Sequence, residues 1–323
     1  MTAGAVLVLT SQLDPTADLV ITELHRRGTP VFRCDLADFP QHLRITAHFD
    51  GRWSGHLATP TRELRLEEIR GAYYRRPSRS QPAAEMSVAD GQWAAGEADA
   101  GFGGLLRAIP HWLNHPDLIT HAEYKPVQLA AAAAAGLSVP RTLITNDPAT
   151  AREFVAHVDR AVYKPFSSPY LDDEGTRRLI YTTSLSGPHE IDDSVRHTAH
   201  LFQEWVDKAY EVRLTVVDQH CFAARLVGRS QRAAIDWRSD YPAIEYGVID
   251  VPDQVQAAVH RMLHRLGLRF AAMDFVVRPD GEWMFLDLNP NGQWAWIEHE
   301  TGLPICSAIV DALLQAPPDA QPS

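Results

Sequence analysis

The sequence predicts an α/β (α+β) protein with two domains and a short tail. Three patterns support this: a strand–helix–strand run near the amino terminus, a middle region where helices alternate with short apolar strands, and two apolar hairpins toward the carboxyl end. With 323 residues, the chain can bury more than one core. We place the domains at 1–111 and 112–315, with a subdomain at 138–205 and a tail at 316–323.

The first domain begins with a strand that precedes an amphipathic helix, which Gly28 ends. Further along, Asp50-Gly51 between two apolar runs predicts a hairpin. The predicted strands are Val6–Leu9, Val31–Cys34, Arg44–Phe49, Trp53–Ala58 and Ile69–Tyr74, and the predicted helices are Asp14–Arg27 and Ser87–Ile109.

The second domain opens with an alanine-rich helix that Gly136 stops. Short runs of β-branched and aromatic residues then predict strands. These are Arg141–Thr145, Ala161–Pro165, Leu179–Thr183, Leu201–Asp207, Glu211–Val217 and Cys221–Leu226, with helices at Glu123–Ala135, Pro148–His157, Pro252–Leu266 and 303–314.

Composition excludes several classes of protein. A net charge of −11 argues against binding nucleic acid through its phosphates, so no nucleic-acid partner is expected. No apolar run is long enough for a membrane span, so no membrane partner is expected either. The first residues lack the basic start of a signal peptide, and the three cysteines are scattered. We therefore expect a cytoplasmic protein.

The run 273–289 carries the clearest chemical signal. A two-residue turn at Asp280-Gly281 would place Asp274 directly opposite Asp287, with Asn289 on the same face. Met273, Phe275 and Val277 would then share the apolar face with Met284, Leu286 and Leu288. Opposed carboxylates repel unless a cation lies between them, and two carboxylates with an amide oxygen suit Mg²⁺. The alternative is that both aspartates are exposed on a solvated face.

Basic side chains on other apolar strands point to an anion. Lys164 ends one such strand, where its charge is costly unless it meets an anion or reaches the surface. If the turn at 218–220 closes Val217 on Cys221, Arg213 falls opposite Arg225 and the two form a phosphate clamp. A slip of one residue in that turn would separate them.

The order of these residues resembles the ATP-grasp superfamily of carboxylate ligases. The resemblance rests on Lys125, Lys164, Gln203-Glu204-Trp205-Val206, Glu211-Val212-Arg213, Asp274 and Asp287-Leu288-Asn289, and it covers about 112–312. The preceding residues resemble the small Rossmann-like domain that comes before ATP-grasp folds. The extension Asn291-Gly292-Gln293-Trp294 is similar to the graspetide (microviridin-type) synthetases.

The resemblance implies a role for each of these residues. ATP would bind with its phosphates on Lys125 and Lys164, its adenine at Glu204, Trp205 and Val206, and its ribose near Glu211, with Ser167 and Ser168 in the covering loop. Asp274, Asp287 and Asn289 would hold two Mg²⁺ ions, with Mn²⁺ as an alternative ion. Arg213 and Arg225 would stabilise an acyl phosphate formed on a substrate carboxylate.

The implied substrate is a ribosomal precursor peptide with a leader and an acidic core, and the resemblance is compatible with a homodimer. The main alternative is an ATP-grasp ligase that acts on free amino acids or on a protein tail. A dinucleotide-dependent enzyme is disfavoured because the first turn, residues 10–14, lacks glycine. A non-catalytic binding module is disfavoured because both lysines, both aspartates and Asn289 are retained.

Overall fold

The computed structural model of the chain describes residues 4–166, 170–173, 176–179, 182–230, 233 and 237–315, with backbone alone for 170–173, 176–179 and 239. In this part of the chain no helix has both the length and the apolar character needed to cross a bilayer.

The first domain is built on a parallel sheet with strand order β2-β1-β6. Helix α1 crosses from β1 to β2, and Asp14 caps it by accepting hydrogen bonds from the backbone N–H groups of Thr16 and Ala17. A second, antiparallel sheet follows as β3-β4-β5. The elements are β1 (Ala5–Thr10), α1 (Pro15–Arg26), β2 (Val31–Cys34), β3 (Arg44–Phe49), β4 (Trp53–Ala58), β5 (Glu63–Arg65), β6 (Ile69–Arg75) and α2 (Val88–Arg107).

The next region contains a four-stranded antiparallel sheet with the order β11-β8-β12-β7. The predicted helix at 123–135 is shorter than expected and follows a separate short helix, since Pro126 favours a new start. The elements are α3 (Pro116–Ala122), α4 (Lys125–Ala134), β7 (Thr142–Thr145), α5 (Pro148–His157), β8 (Ala161–Lys164), β9 (Tyr170–Asp173), β10 (Thr176–Leu179), β11 (Thr183–Leu185) and β12 (His200–Glu204).

Two strand predictions in this region were wrong in their bounds. The strand expected at 201–207 ends at Glu204, where β12 loses its partner strands. The strand expected at 179–183 falls partly outside the described residues; among the described ones, Leu179 belongs to β10, Thr182 to no strand and Thr183 to β11.

The largest sheet is antiparallel, with the order β15-β14-β13-β16-β17. One of its faces packs on α4 and α6 through residues such as Val212, Leu214 and Met273. The other face packs at one end on α8 and the first domain. The elements are β13 (Tyr210–Val217), β14 (His220–Gly228), β15 (Ile244–Ile249), α6 (Asp253–Leu266), β16 (Phe270–Val277), β17 (Trp283–Asn289), α7 (Ala295–Thr301) and α8 (Ile305–Leu314).

The β16–β17 hairpin reaches its predicted aspartate pairing by an unpredicted route. Asp274 does lie opposite Asp287. However, the loop has three residues, Pro279 to Gly281, because Arg278 N–H donates to the Glu282 carbonyl and Gly281 adopts φ 89°. This shifts the register by one residue until a bulge at Leu286 restores it.

The bulge changes which residues of β17 reach the core. Phe275 pairs with Phe285 and Val277 with Trp283, so these rings fill the apolar face. The predicted placement of Met284 and Leu286 on that face was therefore wrong, whereas Leu288 is there as expected.

The predicted pairing of Arg213 with Arg225 was also wrong. The turn between β13 and β14 has only two residues, since Val217 pairs with His220 and Asp218 takes the positive φ of 50° that such loops favour. Arg213 therefore lies opposite Ala224, and Arg225 lies opposite Val212. Because neighbouring residues of a strand point to opposite faces, the two guanidinium groups belong to different faces of the sheet.

Candidate active site

The central feature of the site is the pair of opposed carboxylates on β16 and β17. Asp274 is 5% exposed, whereas the side chain of Asp287 is 31% exposed. Arg213 faces Asp274 from the neighbouring strand, and Asn289 follows Asp287 on the same face. The strands thus bring together four polar groups on one face of a sheet that is otherwise mostly apolar.

Cationic side chains hold both carboxylates. The Arg213 guanidinium donates to Asp274 Oδ1 at 2.8 Å, and Arg238 donates to Oδ2 of the same carboxylate. The Lys125 ammonium donates to Asp287 Oδ1 at 2.8 Å. Burial alone would raise the pKa of Asp274, but the two guanidinium groups outweigh it and bring that pKa below its ordinary value.

These groups fit a divalent metal by their donor chemistry. Asp274, Asp287 and Asn289 supply two carboxylates and an amide oxygen, the hard donors that Mg²⁺ prefers. In the described residues, no group of three or more His, Cys, Asp or Glu side chains offers another metal site. Three side-chain cations already occupy positions around the pair, so the site favours positive charge.

The loop after β17 is fixed by contacts from both domains. Asn289 Oδ1 accepts a hydrogen bond from Asn291 N–H at 3.0 Å, and Arg213 donates to the Gln293 carbonyl at 2.9 Å. Gly292 is required by space, because a Cβ there would overlap the side chain of Ala272 and lie 3.1 Å from the Arg213 guanidinium. The loop after β17 and the two carboxylates therefore form one packed unit.

Arg75, the last residue of β6 in the first domain, reaches this loop. Its guanidinium donates to Gln293 Oε1 at 2.6 Å and to the Asn291 carbonyl at 3.2 Å. Arg75 is fully buried and lies 3.7 Å from the carboxylate of Asp14. Arg75 therefore joins the first domain to the loop that follows β17.

Two buried amides hold the strands that carry the aspartates. Asn114 donates to the carbonyls of Phe270 and Pro290 at 2.7 and 2.9 Å. Gln128, on α4, both donates to the carbonyl of Leu288 and accepts from its N–H. The two hydrogen bonds from Gln128 replace the backbone hydrogen bonds that a further strand would have supplied to β17 at Leu288.

Lys164, the second predicted phosphate residue, and the predicted adenine residues lie on or next to the four-stranded sheet. Lys164 shares a sheet face with Gln203 and donates to its Oε1 at 2.6 Å. Glu204 ion-pairs with Arg141 at 2.9 Å, which lowers the pKa of Glu204. The N–H groups of Glu204 and Trp205 donate to backbone carbonyls. Neither N–H is therefore available to an adenine.

Two cationic side chains lie close to the ring of Trp205. The Arg160 guanidinium lies 4.5 Å from its ring centroid, and the Lys208 ammonium lies 5.3 Å from it. Lys208 also ion-pairs with Glu211 at 2.6 Å. Burial raises the pKa of Glu211 even though Lys208 opposes this. Trp205 and Lys208, in the segment between β12 and β13, thus lie beside Arg160 and the buried carboxyl of Glu211.

Comparisons with known proteins agree with this architecture. Residues 5–120 match the family model of the MvdD pre-ATP grasp domain. The macrocyclase MdnB from Microcystis aeruginosa MRC is 26% identical over 96% of this chain and 99% of its own, with a TM-score of 0.80. The chain has the ATP-grasp fold, with a pre-ATP-grasp domain before it.

Two further solved structures share this ATP-grasp fold. A RiPP-associated ATP-grasp ligase from Chryseobacterium gregarium, in complex with ADP and a leader and core peptide, is 24% identical over 98% of both chains, with a TM-score of 0.90. The ATP-grasp ligase PsnB, complexed with a minimal precursor, is 25% identical over 96% of this chain and 98% of its own, with a TM-score of 0.76. The comparison with curated proteins gave no match.

Two of the site predictions for this ATP-grasp protein need comment. Ser167 and Ser168 lie outside the described residues. Arg225 lies on the sheet face opposite Arg213, 3.6 Å from Glu245 and with its guanidinium 5.9 Å from the centroid of the Tyr210 ring. The second guanidinium beside Asp274 is instead that of Arg238.

Sequence reasoning about this ATP-grasp protein missed Arg238, Gln128 and Gln293 as site residues. Arg238 lies in a short 3-10 helix between β14 and β15, so no strand register places it near Asp274. Gln128 interrupts the apolar and alanine run of α4, and that polar interruption was the available signal. Gln293 lies within the extension 291–294. Its contact with Arg75 was missed because Arg75 belongs to the other domain.

Proposed function

We propose that this chain is an ATP-dependent, ADP-forming ligase that crosslinks a ribosomal precursor peptide. It activates Asp or Glu side chains of the peptide as acyl phosphates and joins them to Ser or Thr hydroxyls or to Lys amines. The observation that carries the proposal is the opposition of Asp274 and Asp287, each held by cations, in an ATP-grasp fold. The solved relatives that bind precursor peptides and ADP support the choice of substrate.

In the first step, a carboxylate oxygen of the peptide attacks the γ-phosphorus of ATP. The bond from that phosphorus to the bridging oxygen breaks and ADP leaves with the electron pair. Asp274, Asp287 and Asn289 would hold Mg²⁺, which when bound offsets charge on the transferring phosphoryl group. Lys125 and Lys164 would place their ammonium groups on the phosphates.

In the second step, a hydroxyl or amine of the peptide attacks the acyl carbon, and phosphate leaves. The nucleophile loses one proton, so each crosslink removes one water from the peptide overall. Arg213 is the guanidinium best placed to offset the oxyanion charge, since it lies on the site face of the sheet beside Asp274. Arg238 would supply the second guanidinium, because it donates to the same carboxylate.

The surroundings of the site support the remaining parts of the proposal. Adenine would be held near Val206, with Trp205 as its apolar neighbour and Glu211 near the ribose.

Cys34, Cys221 and Cys306 are free thiols, which agrees with a cytoplasmic enzyme. A homodimer belongs to the same proposal, and light scattering of the purified chain would test it.

The decisive experiment uses peptides encoded by the reading frames that flank the gene. Each is incubated with the protein, ATP and Mg²⁺, while ADP release and peptide mass are followed. We expect ADP together with the loss of one water per crosslink. ADP release with free amino acids, or a peptide mass raised by an amino acid, would instead favour the ligase that acts on amino acids or protein tails.

A matched pair of variants ties the activity to the site. Asp287→Asn should abolish ADP release, because it removes a carboxylate that faces Asp274. Asp280→Asn makes the same change in the turn of the same hairpin, where the side chain is exposed, and should retain full activity. Equal activity in both variants would refute the assignment of this site.

A further inference from the structure

A hollow of about 350 Å³ lies on the same side of the large sheet as the carboxylate pair. We name it the aromatic pocket. It is formed by the segment before β15, by β15 itself and by α7, and is lined by Tyr241, Pro242, Ile244, Tyr246, Trp296 and Glu300. Of these six described residues, only Glu300 carries a formal charge.

Strand register places the aromatic pocket on the face that carries the active site. Tyr246 lies opposite Leu226, which in turn lies opposite Glu211. Directly opposed residues of an antiparallel sheet point to the same side, so Tyr246 shares a face with Glu211 and Arg213. The pocket and the aspartates thus face the same space.

Side-chain contacts also connect the aromatic pocket to Asp274. Arg238, which pairs with Asp274, places its guanidinium 4.6 Å from the centroid of Trp237. Trp237 stacks on Trp296 with centroids 4.9 Å apart. Trp296 is therefore separated from the carboxylate pair by two side chains only.

The rings and the carboxylate of the pocket are arranged around Trp296. Tyr241 and Tyr246 meet Trp296 edge-on, with centroids 5.8 and 5.6 Å away. Glu300 follows Trp296 by one helical turn on the same face of α7. Burial, aided by Glu300, raises the pKa of Tyr246 to about 12, so its hydroxyl is neutral at physiological pH. The imidazole of His299, outside the lining, lies 4.0 Å from Glu300.

We propose that the aromatic pocket binds the side chain of a lysine or arginine in the peptide substrate. Electron-rich ring faces attract cations, and a carboxylate beside them adds a direct ionic partner. An acidic side chain would be repelled by Glu300, and an apolar one would gain nothing from it. A cationic anchor held here would fix which acidic residue of the peptide reaches Asp274 and Asp287. This inference rests on the proposed function for its choice of substrate.

Binding can be tested without relying on catalysis. The full chain is titrated with Nα-acetyl-arginine amide and with Nα-acetyl-citrulline amide, its neutral isostere, and dissociation constants are read from ligand-observed NMR. We expect the arginine probe to bind at least fivefold more tightly than the citrulline probe. Glu300→Gln should remove that preference. Glu63→Gln, which removes an exposed charge from β5, should preserve it. Equal binding of the two probes to the unmodified chain would overturn the proposal.

The same variants are then assayed with the uncrosslinked precursor peptide that the unmodified protein crosslinks as substrate. We expect Glu300→Gln to raise KM for the peptide about fivefold to tenfold with kcat little changed, because the pocket binds away from the reacting atoms. Replacing the anchoring Lys or Arg of the peptide with Gln should raise KM equally and leave no further effect of Glu300→Gln. An unchanged KM in Glu300→Gln would overturn the proposal. So would a KM for the peptide that rises only when aromatic residues of the peptide are replaced. Failure of all peptides to react would refute the proposed function, whereas the probe titration would still decide the pocket.

Discussion

Lys125 and Asp287, which the resemblance to ATP-grasp ligases assigns to the phosphates and to the metal, form an ion pair with 2.8 Å between Nζ and Oδ1. The ammonium therefore occupies a carboxylate oxygen that a metal ion would need. Lysine and metal must compete for Asp287 until a phosphate draws the ammonium away.

This competition gives the first prediction. Lys125→Met should tighten the binding of Mn²⁺ to the nucleotide-free protein by about threefold to tenfold, since a partly exposed ion pair is worth about 1 kcal/mol. The same variant should raise KM for ATP. Electron paramagnetic resonance titration of free Mn²⁺ measures the first effect. Lys208→Met is the control, because Lys208 pairs with Glu211 and not with a predicted metal ligand. Weaker Mn²⁺ binding in Lys125→Met would contradict the competition.

The two aspartates should differ in what they contribute to stability. Asp274→Ala leaves the buried guanidinium of Arg213 without its carboxylate, and the loss of one partner of a buried pair costs about 3–5 kcal/mol. Asp287→Ala breaks a more exposed pair and should cost about 1 kcal/mol or less. Denaturant unfolding of the two variants measures the difference. ADP release should be lost in both, and equal stability losses would argue against the buried ion pair.

Gln293 should affect catalysis only by holding the loop beside Asn289 in place. Gln293→Met keeps the length of the side chain but removes the oxygen that accepts from Arg75 and Thr16. We expect kcat to fall about tenfold and the Mg²⁺ concentration for half-maximal activity to rise, since the loop beside Asn289 loses its anchor. Thr16→Val removes only one donor and should have a smaller effect. An unchanged Mg²⁺ dependence would show that the anchor does not position the loop.

Glu211 should make stability depend on pH in a defined direction. Its pKa in the folded chain lies above the ordinary value of 4.5 because the carboxyl is buried. Its contribution to stability is therefore fully present below about pH 4.5 and is lost as the pH rises through the folded-state pKa. Glu211→Gln does not titrate, so the variant should gain stability relative to the unmodified chain as the pH rises above about 4.5. Unfolding free energies at several pH values test this, with Glu63→Gln expected to show no such trend.

The features that the sequence predicted well depend on neighbours along the chain. The opposition of Asp274 and Asp287 follows from a single hairpin, and the strand that carries Glu211 and Arg213 follows from a single apolar run. Even there the prediction of side-chain faces failed at Leu286, because nothing in the alternating apolar pattern indicates a bulge.

The features that could not be predicted depend on contacts between distant segments. A difference of one residue in the turn at 218–219 moved Arg225 to the other face, and turn length is weakly specified by Asp218 and Gln219. Arg238 reaches Asp274 from a short 3-10 helix outside the strands, and Arg75 reaches Gln293 from another domain. Neither contact leaves a periodic signal in the sequence.

The buried Arg75 also limits how this protein can be recombined. A chimaera that joined residues 112–315 to the amino-terminal half of a relative would keep every proposed metal and nucleotide ligand. It would nevertheless lack the guanidinium that braces Gln293, unless the donor carried an arginine at the end of its third parallel strand. Crossover points for such hybrids therefore belong upstream of Ile69, so that the strand and the loop it supports are inherited together.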